Sequence, residues 1–233
     1  MKRLLLLLVL ISCNPKQPVI KEQAIAENTL GKIREDIARI IDYQKAMGYH
    51  MPNIVQPPAT ESKITETEEK LGMKFSPELR ELYLTINGVY LDGETPSGKT
   101  GIIPIYDLMD LDWSVNYYRD MNWKEYKEIY RINYQLGEKL FPFINDGAGN
   151  CYWVDLNEGT ENYGRIYWTN TFGEEPDYLF NSLNDFFDAI LVGYESNVFS
   201  LDDEGYLDCD YKKWRQICHE LAPSVEYWKM YVN

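Results

Sequence analysis

The chain reads as an α+β domain whose sheet is largely antiparallel and twisted, flanked by N-terminal and C-terminal helices. Three observations predict this. Helical periodicity occupies the first part of the polypeptide, short apolar runs separated by Gly-rich or polar turns occupy the middle, and helical periodicity returns at the end. The composition, 45% hydrophobic and 14% aromatic, supplies a full core and excludes a disordered chain. A length of 233 residues suits one sizeable domain with extra elements.

The first residues stand apart from that domain. Lys2 and Arg3 precede an unbroken apolar run, Leu4 to Ile11, which has the layout of a secretory signal. The run is shorter than the roughly 20 apolar residues that a membrane-crossing helix needs. Leu10-Ile11-Ser12-Cys13 resembles the lipobox of bacterial lipoproteins, which implies that the Cys13 sulfur takes a diacylglycerol and that Cys13 becomes the new N-terminal residue on cleavage. The alternative is an ordinary signal peptide with a chance cysteine. The lipobox reading predicts a signal over residues 1–12, a tether over 13–28 that contains Pro15 and Pro18, and an exported, lipid-anchored protein. Asn14 is not the Asp that resembles an inner-membrane retention signal, so the outer membrane is favoured if the cell is Gram-negative.

From Thr29 onward, Ile33, Ile37, Ile40 and Ile41 mark one helical face that ends near Gly48. Pro52, Pro57 and Pro58 then make an extended link, closing an N-terminal unit over 29–58. The main domain is expected over 59–233. Its first helix runs from about Ser62 to Leu71, stopped by Gly72. The next has Ser76 as N-cap, Pro77 in the first turn, Leu79, Leu82, Tyr83 and Ile86 on one face, and Asn87-Gly88 as its end. Gly101 to Tyr106 reads as a strand with Pro104 at an edge or bulge, and 108–136 as helix in two pieces. Leu140 to Ile144 and Cys151 to Leu156 read as a hairpin around a Gly-rich turn, and Gly164 to Thr169 as a third strand. Ser182 with Asp185 opens a helix that turns Leu183, Phe186, Phe187, Ile190 and Leu191 inward. A last helix spans about Asp210 to Leu221.

Charge narrows the function. The net formal charge is −14, and removal of Lys2 and Arg3 with the signal takes it to −16. Such a chain is a poor fit to nucleic acid, whose affinity comes from Lys and Arg on phosphates, and to electrostatic attraction by anionic lipid. A basic partner fits, as does solubility alone.

Motifs for catalysis and cofactors are weak. Gly93-Glu94-Thr95-Pro96-Ser97-Gly98-Lys99-Thr100 matches the phosphate-loop pattern by residue, but a strand rather than a helix is expected after it, so no nucleotide is assigned. His50 and His219 belong to no HExxH or HxH pattern, and no CxxC is present, so neither a metal nor a cofactor is expected. No nucleophile elbow is present, so the chain is not read as an enzyme. Asp202-Asp203-Glu204-Gly205 with Asp208 and Asp210 could gather Ca²⁺, but reads better as a turn. Asp146 in the Asn145–Asn150 turn shares that ambiguity, and Gly147 and Gly149 are expected at positive φ. Cys151, Cys209 and Cys218 are expected to be buried small residues; whether Cys209 and Cys218 pair is open.

The aromatic supply carries more information. Trp113, Tyr117, Tyr118, Trp123, Tyr126, Tyr130 and Tyr134 crowd one helical region with charges between them. Some must be core, and the functional reading is a partner-binding face, since Trp, Tyr and Arg dominate interface hot spots. Trp113, Tyr117 and Tyr118, with Asp112 and the turn residue Asp146, are the candidate contacts.

Several of these segments resemble the SUKH superfamily. Leu71-Gly72-Met73-Lys74-Phe75-Ser76-Pro77-Glu78-Leu79-Arg80 through Tyr83 to Asn87-Gly88 resembles its N-terminal signature. Gly101 to Ile105 resembles its first strand, and Phe141-Pro142-Phe143, Asp146 to Asn150 and Tyr152 to Leu156 its central hairpin. Ile166-Tyr167-Trp168 and Ser182 to Phe186 follow in order. The resemblance covers about residues 60–195. It implies a non-catalytic α+β fold without cofactor, in a superfamily that includes a fungal cell-wall assembly regulator and many bacterial immunity proteins. By that resemblance the chain is expected to bind and block a toxin domain from a competing bacterium; an envelope or cell-wall scaffold is the alternative. Export and lipidation would set it apart from cytoplasmic relatives. No contact residue transfers by position.

Overall fold

A computed structural model describes residues 31–96, 98–122, 139–170 and 176–230. The signal-like segment, Cys13 and the tether lie outside the described residues, as do Trp123, Tyr126, Tyr130 and Tyr134.

The helices form where local chemistry predicts. Helix α1 (Lys32–Met47) buries Ile33, Ile37 and Ile40 and ends at Gly48, whose φ is 76°. Helix α2 (Glu61–Leu71) starts at Thr60, whose side chain accepts the Lys63 N–H, and ends at Gly72 in the left-handed conformation. Helix α3 (Pro77–Thr85) is capped by Ser76, whose Oγ accepts the Leu79 N–H at 3.1 Å. Its C-cap is the extended Ile86, so the helix stops just short of the Asn87-Gly88 pair. Gly88 serves packing instead, because a Cβ there would lie 2.4 Å from the backbone nitrogen of Asp110. Only glycine admits that close approach of two chain segments.

The five-stranded sheet has the order β1 (Asp107–Leu108), β2 (Leu140–Asn145), β3 (Cys151–Asp155), β4 (Ile166–Thr169), β5 (Asp177–Phe180), with every pair antiparallel. Its strands are buried on both faces. One face carries Phe141, Phe143, Val154, Ile166 and Phe180 into the main core, which also takes in Ile33, Ile37 and Ile40 of α1. Helix α5 (Leu183–Glu195) covers this face, capped by Ser182 and burying Leu183, Phe186, Phe187, Ile190 and Leu191. The Phe186 ring lies 5.6 Å from Phe143 and 5.4 Å from Phe180, both edge-on, the geometry that aromatic quadrupoles prefer. The other face holds a smaller cluster of Met109, Met121, Leu140, Cys151, Trp153 and Tyr167, beside helix α4 (Leu111–Asn122). Beyond α5 come the hairpin β6 (Phe199–Leu201) and β7 (Leu207–Cys209), helix α6 (Tyr211–Leu221), capped by Asp210, and the short α7 (Glu226–Lys229). Cys151 and Cys218 are buried, Cys209 is half-buried, and all three are free.

Three expectations need correction. Residues 101–106 are not a strand. The Tyr106 N–H donates back to the Ile103 carbonyl at 3.0 Å, and the Ile102 N–H to the Tyr106 carbonyl at 2.9 Å. The segment therefore folds on itself around Pro104-Ile105, and pairing with the sheet begins only at Asp107. The strand Asp177–Phe180 was not expected. Nor were the two strands that flank the Asp202–Gly205 turn, although the turn itself is present: Asp202 Oδ1 accepts from the Glu204 and Tyr206 N–H groups, both at 2.9 Å.

Helix α3 organises the helices around it. Its Glu78 carboxylate accepts the Leu183 N–H at 3.1 Å and Asn184 Nδ2 at 2.6 Å, capping the start of α5. One turn on, Glu81 accepts the Arg34 N–H at 3.1 Å in the first turn of α1, a helix whose own N-cap, Gly31, has no side chain to offer. Buried Glu68 of α2 takes the Phe75 N–H at 2.9 Å, Lys74 at 3.1 Å and Arg80 at 2.9 Å. Burial pushes its carboxyl up, but those three donors outweigh burial and hold its pKa below the ordinary carboxylate value. Glu78→Ala and Glu81→Ala should each cost about 1–2 kcal/mol, the usual range for a lost helix cap. Urea denaturation checks this, with exposed Glu66→Ala as a control expected within about 0.5 kcal/mol of the parent.

Candidate protein-interaction face

Part of the candidate set gathers at one end of the sheet, and the strand register shows why. Asp107, which opens β1, pairs with Asn145, which ends β2; Asn145 pairs with Cys151, which opens β3; and Cys151 pairs with Thr169, which ends β4. The β2–β3 turn, the 101–106 turn and the end of β4 therefore lie side by side. Asp146 builds the β2–β3 turn: its Oδ1 accepts from the Ala148 N–H at 2.8 Å and from the Asn150 N–H at 2.9 Å. Gly147 and Gly149 sit there at φ 73° and 104°, as expected. The neighbouring 101–106 turn is fastened to β4, since Trp168 Nε1 donates to the Tyr106 hydroxyl at 2.9 Å.

Helix α4 places the aromatic candidates differently from one another. Tyr117 reaches the β2–β3 turn, its hydroxyl donating to the Gly149 carbonyl at 3.3 Å, and its ring lies 5.7 Å from Trp153. Trp113 is half-buried against the same small cluster. Tyr118 packs on the main core instead, and Asp112 is exposed and paired with Lys63 of α2 at 2.6 Å. The structure thus brings Trp113, Tyr117 and the Asp146 turn to one region, while Tyr118 turns inward. Trp113 and Tyr117 are both half-buried, so each offers a partner only part of its side chain.

The phosphate-loop pattern has other occupations. Lys99 Nζ donates to the Glu204 carbonyl at 2.6 Å and lies 4.6 Å over the Tyr206 ring, while buried Thr100 bonds Asp107. The chain then enters the 101–106 turn, and the next helix starts only at Leu111. Among the described residues, no group of three or more His, Cys, Asp or Glu side chains is placed to hold a metal ion. No helix among them is long and apolar enough to cross a membrane.

Sequence reasoning missed Asp107. It is 4% exposed, and its Oδ1 has no hydrogen-bond partner. Burial, with the nearby Asp146 charge adding to it and the Thr100 bond opposing it, raises its pKa from the ordinary 3.8 to about 6. The folded protein therefore holds this proton between about pH 4 and 6, where the unfolded chain releases it, so stability falls as pH rises through that window. Asp107→Asn should stabilise the protein near pH 7 by about 1–2 kcal/mol. The gain over the parent should vanish near pH 4, as read by paired urea titrations; a pH-independent difference would contradict the assignment.

A comparison with curated proteins finds no match. The model of the SMI1/KNR4 family (SUKH-1) matches residues 58–189, which spans α2 through most of α5 and includes the whole five-stranded sheet. The chain belongs to the SMI1/KNR4 family (SUKH-1).

Proposed function

We propose that this protein is a non-enzymatic, membrane-anchored immunity protein that binds and neutralises a toxin domain from a competing bacterium. The observation that carries the proposal is the family membership, since the family is known for immunity proteins and for cell-wall regulators. The acidic balance supports a basic partner, which it would attract before contact. The internally bonded end of the sheet supports a binding role, because groups already fixed lose little freedom on association. Half-buried Trp113 and Tyr117, exposed Asp112 and the Asp146 turn form the flank of the binding region; Tyr118 acts by packing.

Membrane attachment is proposed through Cys13. A di- or triacylated cysteine anchors firmly, at about 0.8 kcal/mol per buried CH₂, with the outer membrane favoured in a Gram-negative cell. Cys13→Ser should leave the protein uncleaved or in the soluble fraction, and an equal membrane share for the variant would remove the lipid anchor from the proposal. The immunity role is tested with toxin domains encoded beside this gene. Co-expression should restore growth to cells producing the cognate domain, and the purified pair should bind. Neighbouring wall-synthesis genes and no growth rescue would favour an envelope scaffold instead.

A further inference from the structure

The Ile103–Tyr106 turn has an unusual residue at its third position. Ile103 accepts the Tyr106 N–H, Pro104 occupies the second position, and Ile105 has φ 65°. That is the backbone of a type II turn, whose third position calls for glycine. A β-branched residue there is strained, because its side chain crowds the backbone in the left-handed region. The strain brings limited packing in return, since Ile105 stays 47% exposed. A residue that strains the backbone and still faces water marks a functional position more often than a structural one.

The surroundings of Ile105 form a surface. Gly98 lies between Ile105 and Tyr206, so that a Cβ built on it would sit 3.7 Å from Ile105 Cγ2 and 3.1 Å from the Tyr206 ring. Tyr106 follows directly, half-buried and bonded to Trp168. The β6–β7 hairpin, which carries Tyr206, exposes Asp202, Asp203, Glu204 and Asp208. Lys99, the basic residue that reaches this hairpin, is spent on Tyr206 and the Glu204 carbonyl. An exposed apolar side chain next to an aromatic ring, flanked by a carboxylate-bearing hairpin, has the layout of an interface hot spot with a charged rim.

The geometry points to Ile105 as the apolar anchor of the partner interface, with Tyr206 beside it, docking a basic protein that offers an apolar pocket rimmed by Lys or Arg. This rests on the immunity reading and locates its contact surface. The test uses the cognate toxin domain encoded beside this gene, with binding measured by calorimetry on the full chain. Ile105→Gly should raise the melting temperature by relieving the turn and weaken binding at least tenfold. Tyr206→Ala should weaken it several-fold, and Tyr43→Ala, on the outer face of α1, should leave it unchanged. Binding should also weaken markedly as salt rises from about 0.05 to about 0.5 M. If the parent binds the toxin domain and Ile105→Gly binds equally well, this surface is wrong and the immunity reading stands. If the parent binds none of the neighbouring toxin domains, both fail. Salt-independent binding would overturn the basic partner.

Discussion

Two carboxylates on one short helix tie the molecule together. Glu78 and Glu81 stand three residues apart on α3, and each satisfies N–H groups that another helix leaves open at its start. Each also places negative charge at the positive end of a helix dipole. The two helices so capped, α1 and α5, pack against each other over the main core, with Lys32–Asp188 and Arg39–Glu195 pairs along the seam. Those pairs are partly exposed, so they set register more than they add stability. The caps act deeper. With Ser76 fixing where α3 begins, the chain fixes in turn where α1 and α5 begin, and hence which of their faces meets the sheet.

This explains how a helix outside the family-matched segment becomes part of the same core. Residues 58–189 exclude α1, yet Ile33, Ile37 and Ile40 are buried in the cluster that holds Phe141 and Phe186. The proline-rich link between them is itself fastened: Gln56 N–H donates to the Gly88 carbonyl at 3.0 Å, and Val55 bridges Val89. On the other side, α6 and α7 extend the core with Trp214, Cys218 and Trp228, and Trp228 Nε1 bonds the Leu179 carbonyl of β5 at 2.6 Å.

What the sequence made legible is what depends on neighbours along the chain. Ser76 and Ser182 cap helices through the N–H three residues on, and both were legible from the residues that follow them. The central hairpin was legible because Asp146 organises its own turn. Residues 101–106 misled because Ile102, Ile103 and Ile105 carry strand propensity, whereas Pro104 made a corner rather than an edge. Asp177–Phe180 and the β6 and β7 strands are three or four residues long, too short to show a period. The caps from Glu78 and Glu81 were invisible, because their partners lie 105 and 47 residues away. In the candidate face, the spacing of Trp113 and Tyr117 placed them on one side of α4. Nothing local could say that their rings would rest on the sheet, or that Ile105 would take a glycine's conformation.

The same division bears on how a binding surface can coexist with a stable core. Tyr106, Trp168, Tyr117 and Asp146 all make bonds within the chain, so the end of the sheet is rigid before any partner arrives. Rigid surfaces lose little entropy on association, but their bonded groups have less left to offer a partner. The proposed anchor avoids that conflict by standing on the turn rather than within the bonded set: the Ile105 side chain projects past a backbone held by Ile103 and Tyr106. On the proposed reading, sequence change there would alter partner contacts without touching the helix caps or the core, because the stabilising carboxylates stand on α3 and the exposed apolar side chain stands on a turn.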